Sequence, residues 1–178
     1  MPIKAALTRQ SFDTRWKTLR RPYQQVAPQQ LRTWFTDHGS LTQRLIKLSK
    51  GDFRVEVVQQ GWLRPTRSEA KALKMDYRQV ALIREVQLIG NGQPWVFARS
   101  IIPAQTLSGA ERQLRVLGNR SLGSLLFTDP TMRRGRLQIC RLSLNNTEKV
   151  WARRSVFFLS KKPLLVSEVF LPQLLQVN

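Results

Sequence analysis

Residues 77–89 and 95–102 read YRQVALIREVQLI and WVFARSII, and the segment GNGQP at residues 90–94 joins them. Both runs are rich in β-branched and aromatic residues, which is typical of strands. The Asn91-Gly92 pair between them is a strong signal for a tight hairpin turn. We therefore predict an antiparallel hairpin at the centre of the fold.

Further strand-like runs lie on both sides of this hairpin. One precedes it, FRVEVVQQGWLR, and three close the chain, RLQICRLSL, RRSVFFLS and LLVSEVFL. Strands and helices do not alternate regularly, as they would in a parallel sheet. The pattern predicts an α+β domain built around an antiparallel sheet of about six strands.

Helices are predicted in the first and middle parts of the chain. Ser40 with Gln43 three residues later makes a capping box, and an apolar stripe follows it. A similar start at Ser108 leads to a stop at Gly118. Two more helices are predicted, after Pro28 and over residues 121–128.

The remaining segments show no regular pattern. Residues 1–27 are interpreted as an irregular, basic lead-in, and the polar residues 65–76 as a loop. The sequence has no internal repeat and no linker-like stretch, so residues 1–178 are predicted to form a single domain.

The inventory of reactive side chains is small. One histidine, His38, and one cysteine, Cys140, cannot assemble a zinc site of the usual kind. Neither GxGxxG nor a Walker A motif is present. If the protein is an enzyme, we expect chemistry without a metal, a nucleotide or a covalent nucleophile. The single cysteine and the lack of a signal-like segment favour the cytoplasm.

The chain is strongly basic, with 30 Lys and Arg against 11 Asp and Glu and a net charge of +19. Such a charge attracts anions, including nucleic acid and anionic membranes. The basic residues are scattered, however, and a solvated basic surface is an equally good interpretation.

Two charged residues fall within apolar strand faces. Arg84 shares a strand face with Val86 and Leu88, and Glu168 shares one with Val166. Glu168 could lie on an edge strand and reach water, or it could face a ligand pocket. Arg84 could form a buried ion pair with Glu168, or its guanidinium could bind an anionic ligand.

The segments IREVQLIGNGQPWVFARSIIPAQTLSGAERQLRVLGNRSLGSLLFT and RRSVFFLSKKPLLVSEVFLP resemble the chorismate pyruvate-lyase family of bacterial ubiquinone biosynthesis. The motifs GxPW, TLSG, LFT, RRS and KPLLxxExFLP occur in the family's order, from about Arg84 to Pro172. The resemblance implies a six-stranded antiparallel sheet with an internal site under two helical flaps. It also implies a fold shared with the effector domains of GntR-type regulators (the UTRA family), and no cofactor.

The resemblance implies conversion of chorismate to 4-hydroxybenzoate and pyruvate. The family's ligand-binding arginine falls on Arg84, and its acidic residue on Glu168. Backbone contacts fall on Leu122 and on Leu41, where the family usually has methionine. Arg84 and Glu168 would then be the catalytic pair at opposite ends of an apolar pocket.

A second cation is expected to meet the enolpyruvyl carboxylate, and Arg153 and Arg154 are both candidates. Either could instead lie at a solvated strand edge. The expected partners are chorismate and 4-hydroxybenzoate, with no obligate nucleic acid and at most weak association with anionic membranes. A monomer is expected. Two rival functions stay open: a non-catalytic effector-binding domain and a basic nucleic-acid-binding protein.

Overall fold

The computed structural model describes residues 7–20, 27–144 and 148–177. Within them one antiparallel sheet contains eight strands: β1 Lys17–Thr18, β2 Phe53–Leu63, β3 Ala81–Gly90, β4 Gln93–Pro103, β5 Arg133–Arg134, β6 Gln138–Leu144, β7 Glu148–Leu159 and β8 Lys162–Phe170. Their order is β1-β6-β7-β8-β4-β3-β2, and β5 pairs with β7. The prediction of an α+β fold with about six strands is confirmed, because β1 and β5 have only two residues each.

Helices cover the sheet. The α-helices of the described residues are α1 Gln29–Thr36, α2 Leu41–Leu48, α3 Arg67–Leu73 and α4 Leu122–Thr128. Short 3-10 helices span Arg9–Phe12, Ala104–Thr106, Gly109–Val116 and Pro172–Gln176. The predictions of α1, α2 and α4 are confirmed, and the helix predicted after Ser108 is the 3-10 helix Gly109–Val116.

The predicted loop over residues 65–76 is wrong, because this segment contains α3. Thr66 and Glu69 form a reciprocal capping box at its start. The Glu69 N–H donates to Thr66 Oγ1 at 3.1 Å, and the Thr66 N–H donates to Glu69 Oε2 at 2.8 Å. Two of the helix's unpaired N-terminal donors are thereby satisfied.

The central hairpin forms as predicted, although β3 begins at Ala81 and not at residue 77. Asn91 and Gly92 both have positive φ, 51° and 73°, as a type I′ turn requires. Position 90 also requires glycine, because a Cβ there would lie 2.1 Å from the Trp95 ring and would clash with it.

Both faces of the sheet are buried. On one face Leu82, Val86 and Leu88 pack beneath the helices α1, α2 and α4. On the other, Ile83 packs near α3, and Phe97 packs against residues from the start of the chain. This second covered face was not anticipated from the alternation of β3.

The start of the chain is more ordered than an irregular lead-in. Phe12 and Trp16 are buried against the sheet, and β1 pairs with β6. Residues 1–6 and 21–26 of the predicted lead-in lie outside the described residues. In the part of the chain that the structure describes, every helix is too short or too polar to cross a membrane.

Candidate active site

Strand register brings the charged residues together on one face of the sheet. Arg84 on β3 pairs with Ser100 on β4, which in turn pairs with Val166 on β8. Glu168 lies between Ala98 on β4 and Arg153 on β7 in the next row on this face. Arg84 and Glu168 are therefore two strands apart, on either side of β4.

A small, mostly enclosed cavity of about 40 Å³ lies between this face and the helices α2 and α4. Most of its wall is apolar. The four site residues expected from the resemblance, Leu41, Arg84, Leu122 and Glu168, all line it. Leu41 and Leu122 are the first residues of α2 and α4, where backbone N–H groups have no partner within the helix.

Arg84 lines the cavity and is buried, with only 2% of its surface exposed. Its Nη1 donates to Gln60 Oε1 at 3.0 Å, and its Nη2 donates to the carbonyls of Gly118 and Arg120 at 2.7 and 3.1 Å. Burial lowers the pKa of this guanidinium from its usual value. Since these acceptors are all neutral, the positive charge of Arg84 remains available to an anion.

The ion pair between Arg84 and Glu168, one of the two alternatives from the sequence, is wrong. Glu168 pairs instead with Arg153, whose Nε lies 2.5 Å from Glu168 Oε2. Arg153 Nη1 also donates to the carbonyls of Trp34 and Asp37. Strand β8 lies between β7 and β4, so the edge-strand interpretation of Glu168 is wrong as well.

The two candidate cations of WARRS point to opposite faces. Arg153 lies on the face of the cavity, beside Glu168. Arg154 lies on the other face, where it donates to Gln138 Oε1 at 2.8 Å and to Ser68 Oγ at 3.0 Å, and stacks over Trp16. Neighbouring residues of a strand alternate in this way, so Arg154 is not near the cavity.

A further arginine near the site, Arg134, was missed from the sequence. Its Nε donates to Ser155 Oγ at 3.1 Å, its Nη1 to the Asp37 carbonyl at 3.4 Å, and it stacks over Phe157, which lines the cavity. Burial, followed by the nearby positive charge of Arg153, lowers the pKa of Arg134 to about 10. It lies in a short, irregular basic segment, where no periodicity marks it.

The helices α2 and α4 meet over the cavity. The Thr42 Oγ1 and Ser121 Oγ atoms lie 2.6 Å apart, and both residues also line an open groove outside. A Cβ on Gly123 would lie 2.8 Å from Thr42 Oγ1, so a glycine permits this close approach. The helices α2 and α4 therefore correspond in position to the two helical flaps implied by the resemblance.

The described residues contain no group of three His, Cys, Asp or Glu that could hold a metal ion. The expectation of a metal-free and cofactor-free site stays a prediction.

Comparisons with known proteins point to one family. The family model described as chorismate lyase matches residues 15–177. A protein of Marinobacter nauticus named "Probable chorismate pyruvate-lyase" is 44% identical over 147 residues, covering 82% of this chain and 78% of the relative. A protein of Methylococcus capsulatus with the same name is 40% identical over 158 residues, covering 83% of this chain and 98% of the relative.

Solved structures with a similar fold belong to transcriptional regulators. The C-terminal domain of the histidine utilization repressor from Pseudomonas syringae matches with a TM-score of 0.54 at 12% identity, over 68% of this chain and 92% of that one. PhnF from Mycobacterium smegmatis matches with a TM-score of 0.54 at 14% identity, over 78% and 66%. At these identities the likeness concerns the fold alone, and the expected similarity to regulator domains is confirmed at that level.

Proposed function

The chain belongs to the chorismate lyase family and is a lyase, and from this premise we propose that its cavity binds chorismate and releases 4-hydroxybenzoate and pyruvate. The lining of the cavity supports this proposal. One buried cation, Arg84, and one carboxylate, Glu168, both line it from strands on either side of β4, and most of the other lining residues are apolar. The product has the same order of groups: a carboxylate, an aromatic ring and a hydroxyl.

The reaction is an elimination that needs no oxidant. The C–O bond to the enolpyruvyl side chain breaks, and the ring carbon that bears the hydroxyl loses its hydrogen. The ring becomes aromatic, and the departing enolpyruvate gains a proton on its methylene carbon to give pyruvate. Because aromatisation drives the reaction, the protein mainly has to hold the side chain in a reactive geometry and stabilise charge.

In this proposal Arg84 binds the ring carboxylate through its guanidinium. Its contacts with the Gly118 and Arg120 carbonyls also tie the segment before α4 to the sheet. The backbone N–H groups of Leu41 and Leu122 add hydrogen bonds from the two covering helices.

Glu168 accepts the hydroxyl at the far end of the ring. Its partner Arg153 holds the carboxylate in position through its Nε. The Glu168 side chain is 17% exposed, whereas Arg153 is 2% exposed, so the carboxylate is the more open member of the pair.

The broader role follows from the product. We propose that 4-hydroxybenzoate from this reaction supplies ubiquinone synthesis, as the resemblance implies, and that the protein acts as a monomer in the cytoplasm. A deletion strain should then regain ubiquinone when 4-hydroxybenzoate is added. Light scattering of the purified protein should give the mass of one chain, and cell fractionation should recover the protein with cytoplasmic enzymes.

The direct test is to incubate the purified protein with chorismate and a chelator and to identify the products by chromatography and mass spectrometry. Equal amounts of 4-hydroxybenzoate and pyruvate are expected. Activity that requires an added divalent cation would contradict the metal-free reaction. Tight binding of chorismate without turnover would favour the effector-binding alternative, for which the regulator-like fold is the supporting observation.

A further inference from the structure

The inference here rests on the proposed function and concerns the second carboxylate of chorismate. In the proposed function the ring carboxylate has a partner in Arg84, but the carboxylate of the enolpyruvyl side chain must also leave water when chorismate enters the mostly enclosed site. A buried carboxylate without a cation or hydrogen bonds is costly. The protein therefore needs a second anion-binding group, and its position can be deduced from the sheet.

The order of charged groups across the sheet indicates where the enolpyruvyl side chain lies. Arg84 lies on β3, Glu168 on β8, Arg153 on β7 and Arg134 on β5, which pairs with β7. In chorismate the ring carboxylate is at one end of the ring, while the hydroxyl and the enolpyruvyl ether lie on adjacent carbons toward the other. A ring that joins Arg84 to Glu168 thus has its enolpyruvyl ether nearer to Glu168, the side of the sheet on which Arg153 and Arg134 lie.

Arg134 and Arg153 lie side by side. Both donate through Nη1 to one acceptor, the Asp37 carbonyl, at 3.4 and 3.2 Å. The Asp37 carboxylate contacts Arg44, at 3.4 Å. Among the described residues Arg134 has no carboxylate within salt-bridge distance, and Ser155 and Asp37 offer it only neutral acceptors.

The backbone holds Arg134 in this place. Arg134 is the register partner of Phe157 on β7, so their side chains share the face of the cavity. The next residue, Gly135, donates its N–H to the Val156 carbonyl at 2.7 Å. A Cβ on Gly135 would lie 3.0 Å from this same oxygen, so the glycine lets the segment approach β7 closely.

The charges of the site are unbalanced without a ligand. Arg84 and Glu168 line the cavity, and Arg153 and Arg134 lie next to it on the same face of the sheet, so these four side chains together carry a net charge of +2. Chorismate carries a charge of −2. An anion between Arg134 and Arg153 would relieve the repulsion between two neighbouring cations.

We propose that Arg134 and Arg153 together bind the carboxylate of the three-carbon side chain, with Arg134 as the substrate-binding cation that no protein carboxylate neutralises. This subsite distinguishes chorismate, which has the side chain, from 4-hydroxybenzoate, which has lost it. It also retains pyruvate after the C–O bond breaks.

The matched pair of variants is Arg134→Gln and Arg133→Gln, which remove the same charge from adjacent residues of one strand. Arg133 is exposed and donates to the Met132 carbonyl. We expect Arg134→Gln to raise KM for chorismate at least ten-fold, while calorimetry gives an affinity for 4-hydroxybenzoate within three-fold of the wild type. Arg133→Gln should match the wild type in both. If Arg134→Gln weakens the binding of chorismate and of 4-hydroxybenzoate equally, or of neither ligand, the proposal is overturned.

A second measurement needs no variant. In wild-type protein, pyruvate and 4-hydroxybenzoate should inhibit together, because they occupy different parts of the site. Mutually exclusive inhibition would count against a separate three-carbon subsite. If the wild type binds chorismate without converting it, the proposed function fails, and calorimetry with chorismate on the two variants still decides the role of Arg134. If chorismate does not bind at all, both proposals fail.

Discussion

Arg153 and Glu168 are register partners on β7 and β8, and the Arg153 Nε lies 2.5 Å from Glu168 Oε2. In the described part of the chain, Arg153 is the protein cation of this carboxylate, and Arg84 contacts only neutral acceptors. The ion pair with Arg153 fixes the orientation of the Glu168 carboxylate and uses its Oε2 atom. Its other oxygen can accept a hydrogen bond from a ligand in the cavity.

Glu168→Gln should lower kcat by roughly ten- to a thousand-fold, the scale of about one to three lost hydrogen-bond energies. The amide keeps the size of the side chain but removes the charge that Arg153 contacts and that, in the proposed reaction, the ring hydroxyl contacts as well. Stability should also fall, because a buried guanidinium loses its carboxylate. Steady-state kinetics and thermal melting on one preparation measure both effects.

The control for this variant is Glu111→Gln, which also removes a buried carboxylate from an ion pair, here with Lys162 at 2.6 Å. Glu111 does not line the cavity, so its variant should melt earlier but keep its kcat. If Glu168→Gln turns over chorismate like the wild type, the carboxylate has no part in the reaction.

Arg84→Ala should weaken 4-hydroxybenzoate binding by about 2–5 kcal/mol, because a buried carboxylate loses its charged partner. Arg84→Lys should restore only part of this, since an ammonium group cannot replace the planar fork. Calorimetry measures both, and Arg112→Ala, at an exposed position outside the cavity, is the charge-matched control. Unchanged affinity in Arg84→Ala would place the ligand elsewhere.

Glu69→Gln should reduce the free energy of unfolding by about 3 kcal/mol without changing kcat or KM. Glu69 is buried and accepts from Arg99 Nε at 2.7 Å, on the face of the sheet opposite the cavity. Glu85, which also pairs with Arg99, limits the loss. Urea unfolding followed by kinetics on the folded variant tests this separation, and a large change in KM would show that the two faces are coupled.

Cys140 should resist alkylation in the folded protein. Burial raises the pKa of its thiol to about 12, against a smaller opposite effect of Arg154. At pH 8 only about one thiol in ten thousand is then ionised, and the thiolate is the reactive form. Iodoacetamide labelling, followed by mass spectrometry, should be slow in buffer and fast in urea. Rapid labelling of the folded protein would reveal local opening of β6.

The net charge of +19 should affect encounter with the substrate and not the chemical step. Exposed charges are screened over ~8 Å at physiological ionic strength. We therefore expect kcat/KM for chorismate to fall as salt rises, with kcat nearly constant. Any binding to anionic vesicles should disappear at moderately high salt. A nucleic-acid complex that survives high salt would instead support the basic nucleic-acid-binding alternative.

The features predicted correctly from sequence are local ones. The hairpin turn at Asn91-Gly92 and the start of α2 at Ser40 depend on a few neighbouring residues whose chemistry is visible in the sequence. The capping box of α3, Thr66 with Glu69, carries the same signal, but the polar composition of residues 65–76 led to the wrong prediction of a loop.

The contacts that the sequence could not settle are non-local. Whether Glu168 meets Arg84 or Arg153 depends on the order of the strands, and alternation within one strand does not determine its neighbours. The burial of Ile83 on the second face likewise depends on segments distant in the chain. The resemblance identified cavity-lining residues, because a motif retains information about tertiary contacts that periodicity lacks.

Because β4 lies between β3 and β8, the sheet fixes the distance between Arg84 and Glu168. Neighbouring strands lie ~4.8 Å apart, so the backbones of Arg84 on β3 and Glu168 on β8 are separated by ~10 Å across the sheet. Backbone hydrogen bonds between the strands set this distance. Side-chain substitution can reshape the walls of the cavity, but it cannot alter this spacing. In the proposed function, we expect a ring with its hydroxyl opposite the carboxylate to reach both Arg84 and Glu168, and the ortho and meta isomers to reach only one of them. Selectivity for the para isomer would then follow from the order of the strands, and a ligand of different length would require binding residues on another pair of strands.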